Sequence, residues 1–370
     1  MTASGKVAFE GCVFVNLGGW GVAFGPGATD SRVSGCVMAD LGAGGVRIGS
    51  VDRTDTHHIT VEDCEISEGG RRNPGAVAVL ALRSSYNRIL RNHIHHMYYT
   101  GVSSGWDWSG APTVANHNEI AYNRIHDLGL KLLSDMGFVY TLGLQPGTRI
   151  HHNHCETIAH YAYGSDGLYP DEHSTDVELD HNYVSGAGTS FHTNMALGLD
   201  IHDNVFLDGG ETQLAFSSDC GVTNGVLAFK RNTVVWGGGT FLERNKPYKG
   251  TPEEIAAWNP PVWLGVDASE NVYWRRDGRS DVFPGRRTLG EYQAATGMEK
   301  GSVWRDPGRI DPETVTGPTG PRADVARASW TMPAMPRPYL TYRAYLRTAR
   351  SSPSAFLPKI RRLSPSCLMI

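Results

Sequence analysis

One pattern returns nine times between residues 9 and 234: an apolar residue, two spacers, Cys or Asn, one spacer, and a second apolar residue. It reads FEGCVF, VSGCVM, VEDCEI, ILRNHI, IAYNRI, IHHNHC, LDHNYV, IHDNVF and FKRNTV. The central residues are Cys12, Cys36, Cys64, Asn92, Asn123, Asn153, Asn182, Asn204 and Asn232, spaced 22 to 31 residues apart. Both flanks are apolar in every copy. With 40 % apolar residues in the chain, eighteen matches out of eighteen arise by chance only about once in 10⁷ trials. A second apolar segment follows each unit, usually after Gly: GVAF (21–24), GVRI (45–48), AVAVLAL (76–82), GVSS (101–104), GFVYTL (137–142) and GLYPD (167–171). Three short strands per period make one coil of a parallel β-helix. The chain is therefore read as an all-β solenoid of about nine to ten coils, with Asn271-Val272-Tyr273 as a tenth unit.

The column has a physical reading. A stacked Asn at a bend tolerates left-handed geometry and pairs its amide with copies above and below. Cys12, Cys36 and Cys64 share that column and are expected to be reduced, buried fillers. We divide the chain into coils at 1–245, an insertion, last coil and closing segment at 246–313, and a basic irregular segment at 314–370. The insertion, Lys246–Pro261, interrupts the repeat and is expected to carry a short helix. From Pro321 onward there are nine Lys/Arg against one Asp.

Composition narrows the function. The 370 residues carry 34 Lys+Arg against 38 Asp+Glu, a formal charge of −4, with no basic footprint for nucleic acid. No apolar run approaches the ~18 residues of a membrane span. The 44 Gly lack a Gly-X-Y period and mark turns instead. Six Cys in 370 residues do not make a disulfide scaffold. The opening MTASGKVAFEGCVFVN has no basic n-region or apolar h-region, and no cap precedes the first coil. We expect the chain to begin inside a longer protein.

Stacked coils lie about 4.8 Å apart, so equivalent positions face the same way. Carboxylates on neighbouring coils then fall at the separations that glycoside hydrolysis uses. Asp107 lies in Gly105-Trp106-Asp107-Trp108, Asp135 in Leu133-Ser134-Asp135-Met136-Gly137, and Asp166, Asp171 and Glu172 in the segment 164–172. Three consecutive coils therefore bring acids to the third-strand column. Tyr98, Tyr99, Trp106, Trp108, Tyr140, Tyr161, Tyr163 and Tyr169 interleave with them. Aromatic faces beside carboxylates suit sugar rings. Trp106, Asp107, Trp108, Tyr140, Asp166, Tyr169, Glu172 and His192 are the candidate substrate contacts. Thirteen of the 15 His fall between His93 and His202. His95 and His126 both follow the column Asn by three residues, so a stacked histidine ladder is expected rather than a metal site. No metal or cofactor is assigned.

The blocks GVSSGWDWSG (101–110), NEIAYNRIHDLG (118–129), LLSDMGFVYTLG (132–143) and YGSDGLYPDEHS (163–174) resemble glycoside hydrolase family 141 over roughly residues 80–275. The resemblance implies a right-handed parallel β-helix acting on plant cell-wall glycans, as an α-L-fucosidase on pectin side chains or as a xylanase. It also implies an aspartate pair, which motif matching places at Asp135 and Asp171, and export from the cytoplasm. Two departures bear on a subsite: the family's aromatic residue near Ser165–Asp166 is absent, and Pro170 replaces an aliphatic residue. One aspartate would be kept protonated by Phe138, Tyr140 or Leu168 and donate to the leaving oxygen, while the other acts as base or nucleophile. The residues leave open which is which. A polysaccharide lyase or epimerase on the same fold needs a Lys or Arg base. Between residues 93 and 175 only Arg124, Lys131 and Arg149 are basic, so that class is disfavoured. A non-catalytic glycan-binding β-helix is the third reading. The expected partner is a polysaccharide or oligosaccharide, bound by a monomer without nucleic acid or a membrane span.

Overall fold

The computed structural model describes residues 5–217, 227–243 and 266–323. The insertion expected at Lys246–Pro261 and most of the 314–370 segment lie outside these described residues.

Each turn of the chain adds one strand to each of three sheets. Arg88–Leu90, His93–His95 and Val102–Gly105 are followed by Glu119–Ala121, which lies beside Arg88–Leu90. Among the described residues the first sheet has ten strands, from Ala8–Glu10 to Val266–Ser269. The second has eleven, from Val13–Leu17 to Val303–Trp304, and the third nine, from Val22–Phe24 to Thr240–Glu243. Neighbours pair in parallel and in register, as in Ile89↔Ile120 and Ile94↔Ile125. The expected coil architecture is thus observed, and Val272–Arg275 supplies the tenth unit.

The repeat's apolar flanks line the interior. Val33, Val61, Ile89, Ile120, Leu179, Ile201 and Phe229, and on the other side of the corner Met38, Ile66, Ile94, Ile125, Cys155, Val184, Phe206 and Val234, are all inaccessible to solvent. Phe9 and Phe14 of the first coil are only half-buried. Burying an aliphatic side chain of this size stabilises by about 1.5–3 kcal/mol, so the apolar columns hold each coil to the next.

The column residue sits at the corner between the first and second sheets and satisfies its whole amide there. Asn153 Oδ1 accepts from the Asn123 backbone N at 3.1 Å and from Asn123 Nδ2 at 2.9 Å. Its own Nδ2 donates to the Ile120 carbonyl at 2.9 Å and to Asn182 Oδ1 at 3.0 Å. The same contacts run from Asn92 to Asn271. Cysteine substitutes because its thiol does both jobs over a longer reach. Cys36 Sγ accepts from the Cys12 N at 3.4 Å and donates to the Phe9 carbonyl at 3.4 Å, the position Nδ2 reaches in an Asn coil. Cys36 and Cys64 are buried free thiols, as expected, and so is Cys155; Cys12, in the first coil, is free but only half-buried, because no coil covers it from below among the described residues.

The left-handed residue is not the Asn itself. Gly11, Gly35, Asp63, Arg91, Tyr122, His152, His181, Asp203, Arg231 and Glu270, each immediately before a column residue, have φ between 52° and 61°. The corner puts its left-handed backbone there, and the Asn that follows buries its side chain. A second, shorter ladder lies where the third sheet returns to the first: Asn87 Nδ2 donates to Asn118 Oδ1 at 2.9 Å, and the Asn118 N to Thr148 Oγ1 at 3.3 Å.

After the last coil, the helix Leu289–Thr296 is started by a capping box at Thr288 and Glu291. It buries Tyr292 against Phe283, whose ring packs on Tyr273. The Asn column ends on the buried Glu299, which accepts from Asn271 Nδ2 at 3.1 Å and from the Tyr273 hydroxyl at 2.8 Å. Burial pushes the Glu299 carboxyl up, against the pull of the donors around it.

Candidate active site

The acids predicted for the third-strand column do converge on the third sheet. The strand Met136–Leu142 pairs with Ser165–Pro170, with Tyr140 directly beside Tyr169. Asp135 stands one residue before the first of these strands, and Asp171 one residue after the second. Asp135 adopts φ 61°, which a short polar side chain tolerates. Its backbone is pinned on both sides. Its N donates to the Tyr163 carbonyl at 3.1 Å, and the Tyr99 hydroxyl donates to its carbonyl at 2.6 Å. Two glycines allow the next coil to approach. A Cβ on Gly164, at φ 64°, would lie 3.0 Å from Asp135 Cα, and one on Gly167 would lie 2.0 Å from the Ser190 carbonyl oxygen.

The two aspartates are bound crosswise. Asp135 shares its coil with Tyr140, but its carboxylate accepts from the hydroxyl of Tyr169 on the next coil, at 3.2 Å. Asp171 shares its coil with Tyr169, but accepts from the hydroxyl of Tyr140. The two phenol rings lie 4.6 Å apart, so each tyrosine reaches across the coil boundary. Asp171 has a second donor, Asn194 Nδ2, at 2.8 Å. Asp166, fully buried, faces His192 Nδ1 at 3.2 Å, and the His192 ring stacks on Tyr169 at 4.7 Å. His192 Nε2 is shut from solvent with no hydrogen-bond partner among the described residues.

This geometry sets Asp135 apart from an ordinary carboxyl. Burial, and after it the negative charge of Asp171, push Asp135 from its ordinary 3.8 up to about 6. The Tyr169 hydroxyl pulls the other way but does not outweigh them. Burial and the neighbouring aspartate charges raise both tyrosines well above the usual phenol range, so they stay protonated as donors. Burial disfavours a charged His192, yet the Asp166 hydrogen bond and the surrounding carboxylates raise it overall. Glu172 is raised by burial and then by Asp171.

Asp135, Asp166, Asp171, Glu172, Tyr140, Tyr169 and His192 are thus gathered in one place. Asp107 is held differently: it pairs with Arg83 at 3.2 Å and accepts from the Ser109 hydroxyl at 2.6 Å. Arg83 is a cation on this face that the 93–175 window excluded. Trp106 packs on Tyr140 at 5.6 Å and carries the exposed Trp108 beside it.

Two expectations need correction. Phe138 and Leu168 point into the core and do not shield a carboxyl on the outer face. Tyr140 and Tyr169 are buried with their hydroxyls committed to aspartates, so they hold the acids rather than offer open faces to a sugar. Open aromatic surface belongs to Trp108, Tyr161 and Tyr163. Asn194 was not anticipated, and Tyr99, counted among the interleaving aromatics, braces the Asp135 backbone instead of facing a sugar. Asn194 ends the strand after Asp171's, so coil register was the only signal that could have found it.

The histidines lie chiefly along the first two sheets. His95 and His126 stack at 5.2 Å and 6°, the ladder expected from their spacing. Burial, with His95 and His126 nearby, pushes His93 down to about 4.

Three parallel sheets wound coil by coil make the fold a right-handed parallel β-helix, and the family model described as right handed beta helix region matches residues 1–184. No curated protein matches the sequence. Among solved structures, one named "Glycoside hydrolase" is 25% identical with a TM-score of 0.48, over 54% of this chain and 36% of that one. Another, "The complex structure of XylC with xylose", is 11% identical with a TM-score of 0.35, over 66% of this chain and 36% of that one. The chain spans about a third of the length of either. With TM-scores below 0.5, neither bears on the reaction.

Proposed function

We propose that the chain is a glycoside hydrolase acting on plant cell-wall polysaccharide outside the cytoplasm, with Asp135 as general acid and Asp171 as base or nucleophile. The observation that carries this reading is the crossed pairing of two aspartates with two tyrosines, within which burial and the Asp171 charge raise Asp135 to about 6. A carboxyl near that value holds a proton in mildly acidic water and can give it to a leaving oxygen. Asp171 accepts from two donors, which hold its carboxyl in place beside Asp135. In the reaction Asp135 passes its proton to the glycosidic oxygen as the bond to the anomeric carbon breaks. Asp171 either takes a proton from the attacking water or attacks that carbon itself. His192, through its stacking on Tyr169 and its contact with Asp166, supports the ring that serves Asp135. The fucosidase or xylanase specificity follows from the motif resemblance alone.

The test is hydrolysis of fucosylated pectin oligosaccharides and xylan by wild type, Asp135→Asn and Asp171→Asn. Both substitutions should lower turnover by 10³-fold or more, on the order of the losses that follow removal of a catalytic side chain. With an activated aryl glycoside, whose leaving group needs no proton, Asp135→Asn should recover and Asp171→Asn should not. Recovery of Asp171→Asn alone would reverse the assignment, and full turnover in both would refute the site.

A further inference from the structure

Behind the two aspartates, the column of rings continues by one more member. Tyr140 lies beside Tyr169 across the strands, and Leu168 beside Phe191, so His192 takes the next place in line. Its ring stacks on Tyr169 with centroids 4.7 Å apart and planes 9° from parallel. Ala215 follows in register and ends the stack. His192 Nδ1 faces the fully buried Asp166 at 3.2 Å. We propose that Asp166 and His192 are a positioning pair: Asp166 holds His192 as a cation on the face of Tyr169 turned away from Tyr140, and that cation opposes the negative charge gathered around Asp135. Its part in catalysis rests on the hydrolase reading above; its electrostatics does not.

The groups that face Asp135 are Tyr99 on the coil before, Tyr163, Asp166, Tyr169 and Asp171 on the coil after, and His192 one coil further. Asp166 and Asp171 bring negative charge, and the tyrosines are neutral. Of these groups His192 alone can be positive, and its charge works against that of the aspartates. Burial disfavours a charged imidazole, but the Asp166 hydrogen bond and the charges of Asp166, Asp171 and Asp135 outweigh it. The ring beneath adds to them, since the face of an aromatic ring attracts a cation. Without that cation, three carboxyls would share one part of the wall, and like charges so placed hold their protons strongly. A general acid works best when its proton affinity lies near the working pH. The pair therefore keeps Asp135 from binding its proton too tightly to give it up. The same stack steadies Tyr169, whose hydroxyl meets Asp135 at 3.2 Å.

The test removes the cation in two ways. His192→Phe keeps a ring on Tyr169 and loses the hydrogen bond to Asp166. His192→Gln keeps a donor for Asp166 and loses the ring. Only the charge is missing from both. Each is made in the full chain, with and without Asp135→Asn, and circular dichroism checks that each is folded. The first readout needs no substrate. Urea unfolding from pH 4.5 to 8.5 gives the pH at which the stability gap opened by Asp135→Asn stops widening, and that pH tracks the proton affinity of Asp135 in the folded chain. It should rise by roughly 0.5–1 unit in both His192 variants, the low end of what a nearby charge does to a carboxyl. The second readout is the alkaline limb of kcat/KM on the substrates named above, which should move up with it. A gap that moves in a chain hydrolysing none of those substrates would uphold the pair and sink the hydrolase reading. An unmoved gap in both folded variants would overturn the pair, even if turnover fell. So would a shift confined to one variant, which would trace the effect to the ring or to the hydrogen bond instead of the charge.

Discussion

Replacing Asp135 with Asn should make the protein more stable, and only above a certain pH. The substitution keeps the shape and removes the charge. The folded state holds the Asp135 proton more tightly than the unfolded chain does, because its pKa is raised from 3.8 to about 6. The contribution of that carboxyl to stability is therefore fully present below about pH 4 and is lost as the pH rises through about 6. Taken at face value, the gap between 3.8 and about 6 is worth about 3 kcal/mol at neutral pH. The site is partly open to water, and screening reduces this to about 1–3 kcal/mol. Asn lacks the ionisation and escapes the loss. Its amide keeps contact with Tyr169, whose hydroxyl can turn from donor to acceptor. The assay is urea unfolding of wild type and Asp135→Asn, followed by circular dichroism from pH 4.5 to 7.5. The variant should lead by about 1–3 kcal/mol at pH 7.5, and the lead should shrink steadily toward pH 4.5. A lead that stays flat across this range, or a variant weaker than wild type at pH 7.5, would refute the claim that Asp135 is held as a proton reservoir. No substrate is needed for the test.

Two further outcomes can be checked. Tyr169→Phe removes the hydroxyl that favours the charged form of Asp135. The Asp135 pKa should then rise further, and if Asp135 is the acid, the alkaline limb of kcat/KM should move to higher pH; an unmoved limb would deny the tyrosine its positioning role. In the corner column, Asn153→Ala strands the Asn123 N–H and the Ile120 carbonyl, at about 1–3 kcal/mol each. Asn153→Cys should lose clearly less, because Cys36 makes both contacts in its own coil; equal urea midpoints for the two variants would contradict that account.

The architecture was legible because each unit repeats the same residue types at fixed offsets from its column residue, though the units themselves stand 22 to 31 residues apart. Ile89, Ile120 and Ile150 occur in step, and burial requires that step wherever coils stack. The left-handed corner was harder to place. Arg91, Tyr122 and His152 share a backbone angle but no chemistry, so no common residue type marks them. In the site, Asp135 and Asp171 could be found by motif, whereas their crossed partners could not. Which tyrosine serves which aspartate depends on how far a ring reaches from one coil to the next, whereas aromatics beside carboxylates had suggested faces open to a sugar. Phe138 was misplaced for a related reason. The strand Met136–Leu142 is buried along its whole length, so polarity does not announce which face is which. Asn194 belongs to a third coil, some twenty residues beyond Asp171, and only the stacking brings it back.

The crossing of Tyr140 and Tyr169 also sets a rule for how such a chain can change length. A solenoid tolerates gain or loss of a complete turn almost anywhere, since each turn meets only its neighbours. Between Asp135 and Asp171 that freedom ends. One inserted turn would move the two hydroxyls a full layer, about 4.8 Å, away from the carboxyls they serve, while leaving every core contact and the Asn column intact. Such an insertion would fold, and under the proposed reaction it would be inactive. Turns added before Trp106 or after Asn194 would leave the pair untouched and alter only how much surface lies on either side of it. Duplication is thus free to reshape the flanks of this molecule, while the boundary between the two aspartate coils is locked by two phenols.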